Sequence, residues 1–239
     1  MDPDLERYLN ERGIPYRALE EVGAEYRDGS IRWPRYSIDL SQVLGWKCRD
    51  LESGRFYGDP SGIPHSGTAP LIACRSFPSN TGAMICEGES DTMRLACTSL
   101  PATYNSDVIC IPGATAFPAE WVPLLRGYDR VAVFADSDDA GMALPNRLAS
   151  LVPGVRRVVL PAGHDVCSFL QGVGAEEDLR SLYQIAPLHV APPAKLRVMN
   201  LQWDDAASSD YRDKLTRIIC EDVTLHRRGN EMMGLCPFH

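Results

Sequence analysis

Three short apolar runs predict an α/β fold for the middle of this 239-residue chain. Ala83-Met84-Ile85-Cys86, Val131-Ala132-Val133-Phe134-Ala135 and Val155 to Leu160, broken only by its arginines, have the length of buried strands. Helical patterns at Asp91 to Cys97, Pro118 to Leu125 and Ala140 to Leu151 alternate with them, as in βαβ units on a parallel sheet. Each apolar run also leads directly into acids, which marks one edge of that sheet as chemically special.

The elements before this region read differently. Leu5, Tyr8 and Leu9 recur at helical spacing and Gly13 falls at the C′ position, so Asp4 to Arg12 is a short amphipathic helix. Arg17 to Val22 forms a second. Ser30 to Tyr36 and Val43 to Arg49 alternate like antiparallel strands, and Gly58 to Gly67, dense in Gly, Pro and Ser, reads as a loop. Pro187, Pro192 and Pro193 then interrupt the α/β pattern, giving a linker over 187–198. The expected organisation is an N-terminal α+β subdomain over 1–75, an α/β domain over 76–186, the linker, and a C-terminal segment over 199–239. One amphipathic helix, Tyr211 to Glu221, is expected in that last segment.

Composition narrows the class. With 24 basic and 32 acidic side chains the net charge is −8. Most of the excess sits in residues 76–190, which hold 7 basic and 13 acidic groups; residues 1–75 hold 10 and 12, and 191–239 hold 7 and 7. No run of 18 apolar residues exists and the N-terminus has no apolar signal region, so a cytoplasmic protein without membrane attachment is expected. The eight cysteines are scattered, with no C-x-x-C pair, and several lie in apolar strings, the pattern of reduced buried thiols.

The acids carry the chemistry. Ala83–Cys86 runs into Glu87-Gly88-Glu89-Ser90-Asp91, Val131–Ala135 into Asp136-Ser137-Asp138-Asp139, and Val155–Leu160 into Pro161-Ala162-Gly163-His164-Asp165. In open α/β sheets ligands bind at the carboxyl ends of strands. Asp136 and Asp138 fall on one side if the chain stays extended past Ala135. Carboxylates converging there repel one another unless cations sit among them, and hard oxygen ligands suit Mg²⁺ or Mn²⁺. Such ions serve phosphoryl or nucleotidyl transfer. Asp91 and Asp139, at loop starts, fit helix N-caps as well. Dinucleotide and P-loop glycine motifs are absent, and Thr92 replaces the second glycine that a nucleophile elbow around Ser90 would need.

Together E-G-E-S-D, the D-S-D-D-A-G turn after V-A-V-F-A, and P-A-G-H-D-V-C-S-F-L resemble the Toprim domain of primases and topoisomerases. Within that superfamily they are most similar to phage helicase–primase and bacterial-type primases, although His164 stands where those relatives usually have lysine. The resemblance extends to Trp33-Pro34-Arg35-Tyr36 and Gly45-Trp46-Lys47-Cys48-Arg49-Asp50-Leu51, which look like the N-terminal half of the phage primase polymerase domain. It covers residues 1–185. It implies a Rossmann-like Toprim domain preceded by a small α+β primase subdomain.

The resemblance also implies roles. Glu87, Asp136 and Asp138 would organise two divalent ions, with Asp91 and Asp165 completing the site; Glu87 is alternatively a general base on the attacking 3′-hydroxyl. Lys47, Arg49 and Arg55 would face nucleotide triphosphate or template phosphates. Lys47 is one of three lysines beside 21 arginines, and the sole one before residue 195. A compact ammonium there suits a phosphate.

The C-terminal strings V-T-L-H-R-R-G-N and G-L-C-P-F-H resemble the first half of the zinc-binding domain of bacterial-type primases. Cys236 and His239 would supply two of four tetrahedral ligands, so zinc needs ligands from another chain. The expected activity is synthesis of short RNA primers on single-stranded DNA from NTPs, a DNA-directed RNA polymerase of phage type. The expected partners are a replicative helicase and a second primase chain. A Toprim nuclease or topoisomerase-like strand cutter would use the same carboxylates, and a non-catalytic primase adaptor is the other alternative.

Overall fold

The computed structural model describes residues 2–37, 42–60, 72–73, 81–111, 121–135, 141–173, 175–191, 225–228 and 231–234. They form two units, Met1–Ala191 and Pro192–His239.

The first unit opens with α1 (Pro3–Glu11), whose N-cap Asp2 accepts from the backbone N–H groups of Asp4 and Leu5. Leu5, Tyr8 and Leu9 are its buried stripe, as the spacing predicts. Gly13 closes the helix with φ +61°, and a Cβ there would stand 3.3 Å from Gln171 Cγ. Conformation and space therefore both favour glycine. After α2 (Ala18–Glu21) come β1 (Glu25–Arg27), β2 (Ser30–Tyr36), β3 (Val43–Asp50) and β4 (Phe56–Asp59). They pair in sequence order as an antiparallel meander. The described start of the expected Gly58–Gly67 loop differs from expectation: Gly58 and Asp59 pair with Lys47 and Trp46 as the end of β4.

The second layer is a five-stranded sheet in the order β5-β7-β6-β8-β9. Here β5 is Ile72–Ala73, β6 Gly82–Cys86, β7 Ser106–Cys110, β8 Arg130–Ala135 and β9 Arg156–Val159. β6, β7, β8 and β9 are parallel, and β5 adds an antiparallel edge. The helices α3 (Glu89–Ala96), α4 (Leu100–Thr103), α5 (Val122–Arg126) and α6 (Ala143–Leu151) lie between strands in sequence. β9 is followed by α7 (Val166–Ser168), a π-helical turn (Phe169–Val173) and α8 (Glu176–Ile185).

Alternation sorts the strand residues into two cores. Met84, Cys86, Val108, Cys110, Ala132 and Phe134 face one side, together with Ile31 and Trp33 of β2, the α1 stripe and Tyr183 of α8. Ala83, Ile85, Ile109, Val131, Val133 and Ala135 face the other, against Leu125, Leu144 and Leu148. Burial on both faces explains why these strands read as continuous apolar runs. The first of these cores joins the meander to the parallel sheet.

Residues 187–189, within the expected linker, run along β9: Arg157 N donates to Pro187 O at 3.1 Å and His189 N to Val155 O at 2.8 Å. The five described cysteines, Cys48, Cys86, Cys97, Cys110 and Cys167, are free thiols, and all but Cys97 are buried. No described helix is long and apolar enough to cross a membrane. In the second unit, β10 (Leu225–Arg228) and β11 (Glu231–Gly234) pair antiparallel, with Leu225 opposite Gly234 and Arg228 opposite Glu231. The helix expected over 211–221 and the pair Cys236 and His239 lie outside the described residues.

Candidate functional site

The strand order fixes where the sheet can hold a ligand. From β6 the chain steps to β7 on one side and then to β8 on the other, so the order reverses about β6. The crevice at the carboxyl ends of β6 and β8 is the topological switch point of this sheet. Cys86 ends β6 beside Phe134 of β8, and Glu87 is the next residue. β8 ends at Ala135, so the sequence carries Asp136 and Asp138 one and three residues beyond the neighbouring strand end. Asp136 and Asp138 themselves lie outside the described residues.

Gly88 is the N-cap of α3 and Asp91 sits in the first turn. Asp91 is thus not the cap. Its Oδ1 instead accepts from Cys167 N, in the first turn of α7, at 3.0 Å. Asp165 is the N-cap of α7: its Oδ1 accepts from Ser168 N at 2.7 Å and Ser168 Oγ at 2.6 Å, while Ser168 Oγ accepts from Asp165 N. Two carboxylates therefore meet the positive end of one short helix. That contact joins the segment after β6 to the segment after β9. Burial and the neighbouring Asp91 hold the Cys167 thiol far above its ordinary range, so Cys167 is a packing residue rather than a nucleophile. Carboxylate oxygens are the donor type that suits a hard divalent cation. Among the described residues no group of three His, Cys, Asp or Glu side chains makes a closed metal cluster.

The meander supplies the cations. Register places Ile31, Trp33 and Arg35 of β2 on the same face as Arg49, Lys47 and Gly45 of β3. Phe56 of β4 shares that face opposite Arg49. Lys47 Nζ makes an ion pair with Glu89 Oε1 of α3, and both residues are 8% exposed. Lys47 Nζ also stands 4.8 Å from the Phe56 ring centre, and the Arg49 guanidinium lies 5.0 Å from Phe56 and 5.5 Å from Tyr8. Arg12 covers Tyr8 at 4.2 Å. Arg55 is exposed and joins none of these contacts.

Two further bonds clamp the meander and α1 onto α3. Tyr8 Oη and Ser90 Oγ are 2.8 Å apart, and Trp33 Nε1 donates to Met93 Sδ at 3.2 Å. Glu89 and Met93 are four residues apart, hence on one face of α3. The structure therefore joins Lys47 and Arg49 to the helix that follows Glu87. Sequence reasoning missed Glu89, Tyr8 and Arg35 as members of this cluster. The β2 alternation held a signal for the last: stepping by two from Ile31 and Trp33 puts Arg35 on the core face.

No protein-family model matches the chain. Among curated proteins, 92 residues are 29% identical to the gene 57 protein of Mycobacterium phage D29. That match covers 38% of this chain and 57% of the relative, so it spans little more than half of that protein. The structural matches are wider. The primase fragment of the bacteriophage T7 primase-helicase protein superposes with TM-score 0.55 at 22% identity, over 71% of this chain and 72% of the fragment. The DnaG catalytic core gives 0.57 at 18% identity, over 78% and 74%. The DnaG primase catalytic domain bound to single-stranded DNA gives 0.52 at 18%, over 92% and 84%. The chain has the fold of DNA primase catalytic domains. The mixed architecture expected from sequence, a parallel-sheet domain behind a small α+β layer, is the one observed.

Proposed function

We propose that this chain is a DNA primase core that synthesises short RNA primers on single-stranded DNA by metal-dependent nucleotidyl transfer. The observation that supports it best is the placement of acids at the β6–β8 switch point beside a basic, aromatic face clamped to α3. Its fold relatives include a primase domain bound to single-stranded DNA and the primase fragment of a primase-helicase protein. A single-stranded template, NTPs and a separate replicative helicase are the corresponding partners.

Glu87, Asp136 and Asp138 would hold Mg²⁺ or Mn²⁺, with Asp91 and Asp165 supporting the site. Ions held there would polarise the reacting phosphate and acidify the attacking hydroxyl. The chain's own part is positioning. Lys47 and Arg49 present positive charge to the incoming triphosphate, with Arg55 available to phosphates further out on the exposed edge. The rings of Tyr8 and Phe56 fix the Arg49 guanidinium, so little side-chain entropy is lost when a phosphate arrives. Glu87 is the one described carboxylate at the end of β6 and is the alternative general base for the 3′-hydroxyl. Cys236 and His239 are assigned as two ligands of a zinc ion.

Extension of a dinucleotide with labelled NTPs on single-stranded DNA tests the reading. Incorporation supports a primase. Metal-dependent nicking without incorporation turns the assignment to a strand-cutting enzyme, and neither activity turns it to an adaptor.

A further inference from the structure

Arg35 is 0% exposed, and among the described residues none of its three guanidinium nitrogens has a hydrogen-bond partner. A buried cation left bare is costly, and such groups are ordinarily paired. Arg35 shares the sheet face of Lys47, one step diagonally across the β2–β3 ladder. Burial disfavours its charge, and the one carboxylate that counteracts this is Glu89. Glu89 is already engaged by Lys47. Among the described residues, the contact between the meander and α3 therefore holds two buried cations, Arg35 and Lys47, and one buried carboxylate, Glu89, an excess positive charge that a bound anion would neutralise.

While Lys47 is paired with Glu89 its charge is largely neutralised and attracts a phosphate weakly, and releasing it would strand a buried carboxylate. We propose that Arg35, Glu89 and Lys47 form an exchange site for the triphosphate of the incoming nucleotide. Lys47 leaves Glu89 for the phosphate, and Arg35 takes over Glu89. Arg35 is thus a positioning residue that acts through Glu89 and does not itself touch the ligand. This rests on the reading above that Lys47 serves nucleotide phosphates.

The probe is inorganic tripolyphosphate, titrated calorimetrically into the full chain at saturating Mg²⁺ without DNA. Binding is thereby scored apart from primer synthesis. In Arg35→Met the carboxylate has no second partner, so tripolyphosphate affinity falls about tenfold or more. Glu89→Gln releases Lys47 and tightens binding. In the double variant, loss of Arg35 no longer matters and affinity returns to that of Glu89→Gln, the non-additivity expected of an exchange. Arg35→Lys retains most of the parent affinity. Arg35→Met should fold and melt no lower than the parent, because the resting chain gives Arg35 no bond to lose. Equal affinity of Arg35→Met and parent overturns the proposal, as does an equal loss on both backgrounds, failure of Arg35→Met to fold, or no binding to the parent. A parent that binds with this pattern yet extends no primer leaves the exchange site standing and removes only the primase reading.

Discussion

At the scale of single residues, the sharpest prediction concerns charge without shape. Asp136→Asn or Asp138→Asn removes a formal charge and little volume, so nucleotide incorporation should collapse by two or more orders of magnitude while the melting temperature holds. An Asp138→Asn protein that polymerises at the parent rate would mean the site is assigned wrongly. Asp165 separates two roles in one side chain. Asp165→Asn keeps a good N-cap for α7, whereas Asp165→Ala loses it at a cost of about 1 kcal/mol. Chemical denaturation should show Asn near parent stability and Ala below it. If Asp165 also supports the metal, Asn must still raise the Mg²⁺ concentration needed for half-maximal incorporation. A parent-like Mg²⁺ dependence would confine Asp165 to capping.

At the scale of elements, α3 is the member that everything else grips. Tyr8 holds it from α1, Trp33 and Lys47 from the meander, and Asp91 ties it to α7. Tyr8→Phe removes the bond to Ser90 and keeps the ring under Arg12 and Arg49, so stability should fall by about 1 kcal/mol. Met93→Ala empties a fully buried site and should cost about 2–5 kcal/mol. Urea titrations followed by tryptophan fluorescence distinguish the two, and losses in the reverse order would contradict this account of how α3 is anchored. The strands β2, β3, β6, β8 and β9 were legible because alternation or a continuous apolar run is a local signal. So was the rule that acids follow β6, β8 and β9, whereas β7 leads into Ile111-Pro112-Gly113 in sequence. β7 was harder: Ser106 and Asp107 break its apolar run, although Asp107 is fully buried with Tyr128 Oη donating to it at 2.8 Å. α8 fully buries only Leu179 and Tyr183, with Leu182 partly buried and Ile185 exposed, a faint stripe just before Pro187. The Lys47–Glu89 pair was not legible at all. It joins residues 42 apart in sequence, and no periodicity states which strand a helix will cover.

At the scale of the whole molecule, the division into Met1–Ala191 and Pro192–His239 makes a claim about function. Both hydrophobic clusters draw their members from residues 5–186, and the described candidate site residues, Lys47, Arg49, Arg55, Glu87, Asp91 and Asp165, fall in the same stretch. The first unit holds a core and a candidate site of its own, as an independently folding domain requires. A chain ending at Ala191 should therefore fold with a cooperative transition and extend a supplied dinucleotide within about twofold of the full chain. De novo initiation is the step expected to suffer if the segment over 199–239 is the zinc-binding module proposed for it. A chelator should likewise spare extension by the full chain if the proposed ligands Cys236 and His239 serve only initiation. A shortened protein that folds but cannot extend a dinucleotide would place part of the catalytic machinery beyond residue 191. The cation-bearing face of β3 and the acids at the β6–β8 edge would then be only part of the site.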